Sequence, residues 1–438
     1  MVTGSNRVTI RLPNVYTPLS QITPKNLTGC EKYSKVSRQN AEQVTTTGSN
    51  LLLDISLSYF IARKCPIFIW GGLKMFKKFI SVLLVLFSIV ASLTCAETEN
   101  AGSKSKYPLV IAHRGASAYL PEHTLEAKAL AYGMRPDYIE QDLVLSKDNH
   151  LIVMHDIYLD STTDVAEVFP NRAREDGHYY TIDFTLEELK RLKVSESFIM
   201  GENGPQAKYP HRFPLWKSSF KLSTFEEEIE LIQGLNQSLG YDIGIYPEIK
   251  KPYFHHWEGK DIAEIALKKL KQYGYTDDRQ KVFLQCFDAE ELQRIKLELM
   301  PALGMDLPLV QLIAATDWGE KLIQVNGTIQ NYDYDWMLEK GGLDKIATYA
   351  DSIGPWYPML MEIKGDRPRA NNVVRRAHRR QLQVHPYTFR ADPEKLPEEF
   401  DSFNQFLHFA AYQLRVDGLF TDHPDRVVSY LSRDRSNR

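Results

Sequence analysis

The sequence predicts an α/β chain folded as a (β/α)8 TIM barrel with a small insertion subdomain after the second strand. Three observations carry that prediction. Short apolar, β-branched runs recur eight times from Leu109 onward, and segments of helical period separate them. The residues fit for chemistry gather where those runs end, the face on which barrels of this kind place their sites.

The first run, Leu109–Ala112, leads to a helical segment at Thr124–Tyr132. The second run is Tyr138–Leu145. After Asp156 the pattern lapses into a stretch rich in Tyr, Gly, Asn and charge, which predicts an insertion over about 157–240. Within its last part, Phe225–Leu235 has helical period, with Ser223 or Thr224 placed to cap it. The third to fifth runs, Ile243–Ile249, Val282–Phe287 and Leu307–Ile313, alternate with helical segments at Ile262–Tyr273 and Ala289–Leu299, the latter headed by Asp288 as a cap. The last three runs, Ser352–Trp356, Leu382–Tyr387 and Gly418–Thr421, alternate with Leu343–Tyr349, Asn371–Gln381 and Phe403–Leu414. The barrel therefore spans about 105–435, and no internal repeat argues for a solenoid.

Composition excludes several classes. With 438 residues, 43% hydrophobic and 25% charged, the chain has ordinary globular proportions. Fifty-three basic residues against 56 acidic ones leave a formal charge of −3, which argues against nucleic acid as a partner. A negative mean hydropathy excludes a protein of many membrane spans. Four cysteines are too few for a disulfide scaffold.

The first hundred residues read differently. Positions 1–74 lack the pattern of a packed fold and are expected to be unstructured or a mis-assigned upstream extension. Met75-Phe76-Lys77-Lys78 opens an apolar run that ends in Thr94-Cys95-Ala96, the form of a secretory signal peptide over 75–96 cut after Ala96. Such a run is short for a membrane span of about 20 residues, so no integral span is expected in the mature protein. A lipid on Cys95 is the alternative. Translation from Met75 is the simplest account, and a peptide from Thr3–Lys64 in a digest of the native protein would contradict it. After cleavage Cys286 alone remains, which rules out an internal disulfide.

The chemistry follows the strand ends. His113-Arg114 follows the first strand, Glu140 and Asp142 lie in the second, His155 follows a short strand beyond it, and Glu248 and Lys250 close the third. The i, i+2 spacing puts Glu140 with Asp142, and Glu248 with Lys250, on one strand face. Taken singly, each has a bland alternative: a solvated strand face, a core histidine, a structural ion pair. Together they would be costly to bury without function. Three hard oxygen ligands suit one divalent cation, Ca²⁺ or Mg²⁺, better than zinc. Two histidines supply a general base and a general acid, and the set points to metal-assisted cleavage of a phosphate ester.

The motifs Ala112-His113-Arg114-Gly115-Ala116-Ser117, Pro121-Glu122-His123-Thr124, Glu140-Gln141-Asp142, His155-Asp156 and Pro247-Glu248-Ile249-Lys250 resemble the glycerophosphodiester phosphodiesterase family, in particular its periplasmic bacterial branch. Gln285-Cys286-Phe287-Asp288, Pro386-Tyr387-Thr388 and Phe420-Thr421-Asp422 extend the likeness. The resemblance implies a TIM barrel and hydrolysis of small glycerophosphodiesters, such as glycerophosphocholine or glycerophosphoethanolamine, to an alcohol and sn-glycerol 3-phosphate. It implies Glu140, Asp142 and Glu248 as metal ligands, His113 and His155 as the acid–base pair, and Arg114 and Lys250 as phosphate contacts. Periplasmic location follows from the signal, and a homodimer stays open.

Glu362-Ile363-Lys364 repeats the letters of Glu248-Ile249-Lys250 but reads as surface, as does the basic patch Arg375-Arg376 with Arg379-Arg380. His255-His256 reads as loop or packing. Two rival functions are a phospholipase on the same barrel, which needs a membrane-facing rim, and a binding protein on an inactive barrel.

Overall fold

The computed structural model describes residues 107–365 and 367–436, all within the unit Gly102–Arg438. The upstream extension at 1–74, the signal segment at 75–96 and Cys95 lie outside the described residues.

Sixteen strands occur among the described residues. In chain order they are β1 (Leu109–Ala112), β2 (Tyr138–Leu145), β3 (Leu151–Val153), β4 (Phe198–Gly201), β5 (Gly204–Ala207), β6 (Ser223–Thr224), β7 (Gly244–Ile249) and β8 (Leu284–Cys286). Then come β9 (Leu309–Ile313), β10 (Leu322–Val325), β11 (Thr328–Asn331), β12 (Ser352–Pro355), β13 (Met361–Lys364), β14 (Arg367–Ala370), β15 (Gln383–Val384) and β16 (Gly418–Thr421).

Eight of them run as parallel neighbours in the order β15-β12-β9-β8-β7-β2-β1-β16. Backbone bonds join the two ends of that order: Asp417 N–H donates to Val384 O at 3.0 Å and Phe420 N–H to Pro386 O at 3.1 Å. The sheet is thus the closed barrel the sequence predicts. Every residue of β2 and β7 is buried, as a parallel sheet covered by helices requires. β15 is only two residues long, but its bonds toward β12 run on, with His385 N–H donating to Ile353 O at 2.9 Å and Tyr387 N–H to Pro355 O at 3.2 Å.

Capping side chains set the helix starts. Thr124 accepts from Ala127 N–H and begins the helix Leu125–Met134. Thr224 begins Phe225–Leu239 through a capping box with Glu227. That helix lies against the first, where Tyr132 Oη–H donates to Asn236 at 2.9 Å. The chain between β3 and β6 packs on a core of its own, including Ile152, Phe184 and Leu189. β3 pairs antiparallel with β2, and β6 with β3, so this subdomain is rooted in the second barrel strand.

Three antiparallel hairpins, β4–β5, β10–β11 and β13–β14, were not anticipated from the sequence. The last carries Glu362-Ile363-Lys364, which is exposed and pairs Lys364 with Glu362 at 2.8 Å. His255 is buried and accepts from Leu145 N–H at 3.1 Å, a packing role. Arg376 donates to Leu338 O and Glu339 O, and Arg380 pairs with Asp344, so half of the basic patch ties helices together. Cys286 is free and buried. No helix among the described residues is long and apolar enough to cross a membrane.

Candidate active site

All seven residues singled out from the sequence (His113, Arg114, Glu140, Asp142, His155, Glu248 and Lys250) line one cavity of about 380 Å³. β2 and β7 pair in a register that sets Asp142 beside Glu248, and in a parallel pair such neighbours share a face. Segments distant in sequence thus meet at the carboxyl ends of the barrel strands.

The turn after β1 is forced. Arg114 has a φ of 58°, and its N–H donates to Glu140 Oε2 at 2.5 Å. Gly115 follows at a φ of 90°, and a Cβ there would come within 2.9 Å of the Ala127 backbone, so only glycine fits. The Arg114 guanidinium pairs with Glu122 at 2.8 Å and reaches Asp142 at 3.7 Å.

Each histidine is backed by a carboxylate. His113 Nδ1 lies 2.6 Å from Asp422 Oδ1, just past β16. Asp422 is buried, yet Arg390 and Arg212, which donate to it at 2.7 and 2.6 Å, help hold it well below the usual carboxylate range. An ionised carboxylate only accepts, so the His113 proton sits on Nδ1 and the lone pair on Nε2. Burial, followed by the neighbouring Arg114 charge, lowers His113 to about 4, so the ring is neutral near pH 7. His155 Nδ1 meets Asp156 Oδ1 at 2.8 Å, and its side chain is 29% exposed.

The acidic cluster is crowded and out of water. Glu140, Asp142 and Glu248 are all buried. Burial and then Asp142 push Glu140 well above its ordinary pKa, and burial does the same to Glu248 even though Lys250 Nζ lies 2.8 Å away. Asp142 runs the other way: although burial raises it, Lys250 and His123 hold it down. Its Oδ1 is buried with no hydrogen-bond partner. An orphaned carboxylate oxygen among crowded acids is what a hard cation would satisfy, so the residues fit the expected metal.

In the cavity wall, ligand atoms of His123, Glu140 and Asp142 lie within 4.8 Å of one another, a group that does not include Glu248. Lys128 argues that His123 is no ligand. The Lys128 ammonium can only donate, and it sits 3.2 Å from His123 Nδ1. His123 therefore carries its proton on Nε2 and donates it to Asp142 Oδ2 at 2.7 Å. The ring orients Asp142 and leaves Oδ1 free. Lys128, wholly buried, is neutralised by Glu228 at 3.1 Å. His123→Ala is expected to raise the cation concentration for half-maximal activity by about 10–100-fold with fold intact, which a metal titration of activity would read.

Sequence reasoning assigned no role to Asp422, Glu122, Lys128, Glu228 or Arg390. Asp422 stood in a quoted motif. Lys128 and Glu228 sit within amphipathic helices, and nothing local marks them as a buried pair.

Residues 113–426 match the Glycerophosphoryl diester phosphodiesterase family. The chain belongs to that family.

Two relatives named glycerophosphodiester phosphodiesterase agree. One, from Haemophilus influenzae, is 48% identical over 81% of this chain and 98% of its own length. Another, from Treponema pallidum, is 44% identical over 74% and 92%. As a member of the family the protein is an enzyme, a glycerophosphodiester phosphodiesterase. In fold it is similar to a solved family namesake from Silicibacter pomeroyi, with a TM-score of 0.51 at 20% identity over 75% of this chain and 94% of that one.

Proposed function

We propose that the protein hydrolyses small glycerophosphodiesters, glycerophosphocholine and glycerophosphoethanolamine among them, to an alcohol and sn-glycerol 3-phosphate, using one divalent cation. The observation that carries this reading is the convergence of two carboxylate-backed histidines and three buried acids on one cavity.

Glu140, Asp142 and Glu248 would hold the ion, Ca²⁺ ahead of Mg²⁺, which would offset the negative charge of the phosphate. Arg114 and Lys250 would add positive charge on the substrate's phosphoryl oxygens. His113, neutral and with its lone pair on Nε2, accepts the proton of the attacking hydroxyl, from water or from the glycerol C2 position; in the second case water then opens the resulting cyclic phosphate to sn-glycerol 3-phosphate. The Nδ1–H bond to Asp422 keeps the ring in that tautomer and stabilises the imidazolium that forms. His155, more open to solvent, gives a proton to the departing alcohol. The two rings thus begin in opposite protonation states.

A bell-shaped pH profile is the expected outcome. With His113 lowered to about 4, the base is protonated only in acid, so the acidic limb lies below the usual histidine range. The alkaline limb marks loss of the general acid. Steady-state kcat/KM across pH 4–9 would check this, and a flat profile from pH 6 to 9 would contradict it.

The signal segment supports a periplasmic enzyme of the bacterial branch, secreted and cut after Ala96. N-terminal sequencing of the mature protein from its native cell is the test: a chain beginning at Glu97 is expected, and one that retains Met75–Ala96 would contradict secretion by this route. Release of sn-glycerol 3-phosphate from glycerophosphocholine tests the activity itself.

A further inference from the structure

The cavity has a second wall that the proposed chemistry does not use. Besides the acids, histidines and basic groups it is lined by Phe287, Trp318, Glu320, Trp356, Tyr357 and Tyr387. Trp318 and Trp356 stand with ring centroids 5.0 Å apart and planes at 62°, so the two indoles form an open corner. Trp318 is 42% exposed, a large apolar face left in water at the cavity rim. Such a ring is not there to fill a core.

The segment that carries Trp318 is held in place. Thr316–Trp318 forms a single tight turn, and Gly319, at a φ of 67°, redirects the chain so that Glu320 joins the same cavity. Lys251 Nζ–H donates to Gly319 O at 3.0 Å and anchors the turn. Glu320 is partly buried, and no hydrogen bond or ion pair among the described residues engages its carboxylate. Its charge acts on Lys250 and Lys251, but neither ammonium hydrogen-bonds to it. Lys250 pairs with Glu248 and Lys251 holds Gly319, while Arg390 is bound to Asp422 and Lys395 lies over the Tyr209 ring at 5.5 Å.

Two indole faces and a carboxylate free of hydrogen bonds at the edge of a phosphodiester site suit one kind of group. Aromatic faces attract cations through their negative π-surface, most strongly when the cation is weakly hydrated, and the acid adds a counter-charge. We propose that Trp318, Trp356 and Glu320 form a subsite for the alkylammonium end of the departing alcohol, which makes the enzyme selective for cationic headgroups. This rests on the phosphodiesterase reading above. The bond broken is unchanged: the P–O bond to the alcohol, with the proton delivered to that alcohol's oxygen.

The test compares kcat/KM for glycerophosphocholine, glycerophosphoethanolamine and glycerophosphoglycerol, which share one half and differ in the charge of the other. The wild type is expected to prefer the two cationic diesters. Trp318→Ala, Trp356→Ala and Glu320→Gln are each expected to lower kcat/KM for glycerophosphocholine by about ten-fold. Activity on the neutral glycerophosphoglycerol should stay within about two-fold, and that retained activity also shows that each variant is folded. Free choline should inhibit the wild type and lose potency against the variants. Equal rates on all three diesters, or variants that slow all three alike, would overturn the subsite and leave the phosphodiesterase reading standing. A wild type inactive on all three would overturn both.

Discussion

His113→Ala is expected to lower turnover of glycerophosphocholine by about 10²–10⁴-fold. The reason is local. Nε2 of this ring is the lone pair that the Asp422 bond frees toward the cavity, and its lowered pKa keeps it unprotonated near neutrality. The fold should survive the change. Asp422 would still accept from Arg212 and Arg390, so no uncompensated charge is left behind. Comparing kcat with the thermal midpoint of the purified variant separates the two effects. A loss below about ten-fold in a folded variant would remove His113 from the role of base. His155→Ala should fall in the same range for the opposite reason, since the alcohol would then depart unprotonated. A substrate whose leaving alcohol is strongly acidic should be spared by His155→Ala and not by His113→Ala.

Glu140→Gln is the second large effect, of about 100-fold or more at ambient ion concentration. Here the lost quantity is the grip on the cation, so part of the activity should return with excess Ca²⁺ or Mg²⁺. The amide keeps an oxygen able to accept from Arg114 N–H, which preserves the turn after β1. Calorimetric titration of the ion into wild type and variant would read the affinity directly. Unchanged affinity with lost activity would move Glu140 from ligand to some other role.

Much of this was legible in the sequence because a parallel barrel concentrates its chemistry at strand ends. Glu140-Gln141-Asp142 and Glu248-Ile249-Lys250 announce their shared face through a period of two, and the β2–β7 register then sets Asp142 beside Glu248. What stayed hidden depends on contacts between distant segments. His113 and Asp422 are 309 positions apart, and only ring closure makes them neighbours. Lys128 reads as one more charge on an amphipathic helix, yet it is wholly buried between Glu228 and His123. The expected seventh strand, Leu382–Tyr387, is regular only over Gln383–Val384, with an isolated bridge from Tyr387 to Trp356 beyond it. The hairpins β10–β11 and β13–β14 escaped notice because their short, largely exposed strands lack an apolar face.

The most direct measurement is a coupled assay for sn-glycerol 3-phosphate, with purified protein, glycerophosphocholine and Ca²⁺, before and after EDTA. Stoichiometric sn-glycerol 3-phosphate and choline that vanish on chelation and return with the ion are the expected result. Product formation indifferent to EDTA, or none at any ion concentration, would contradict a metal held by Glu140, Asp142 and Glu248 between two working histidines.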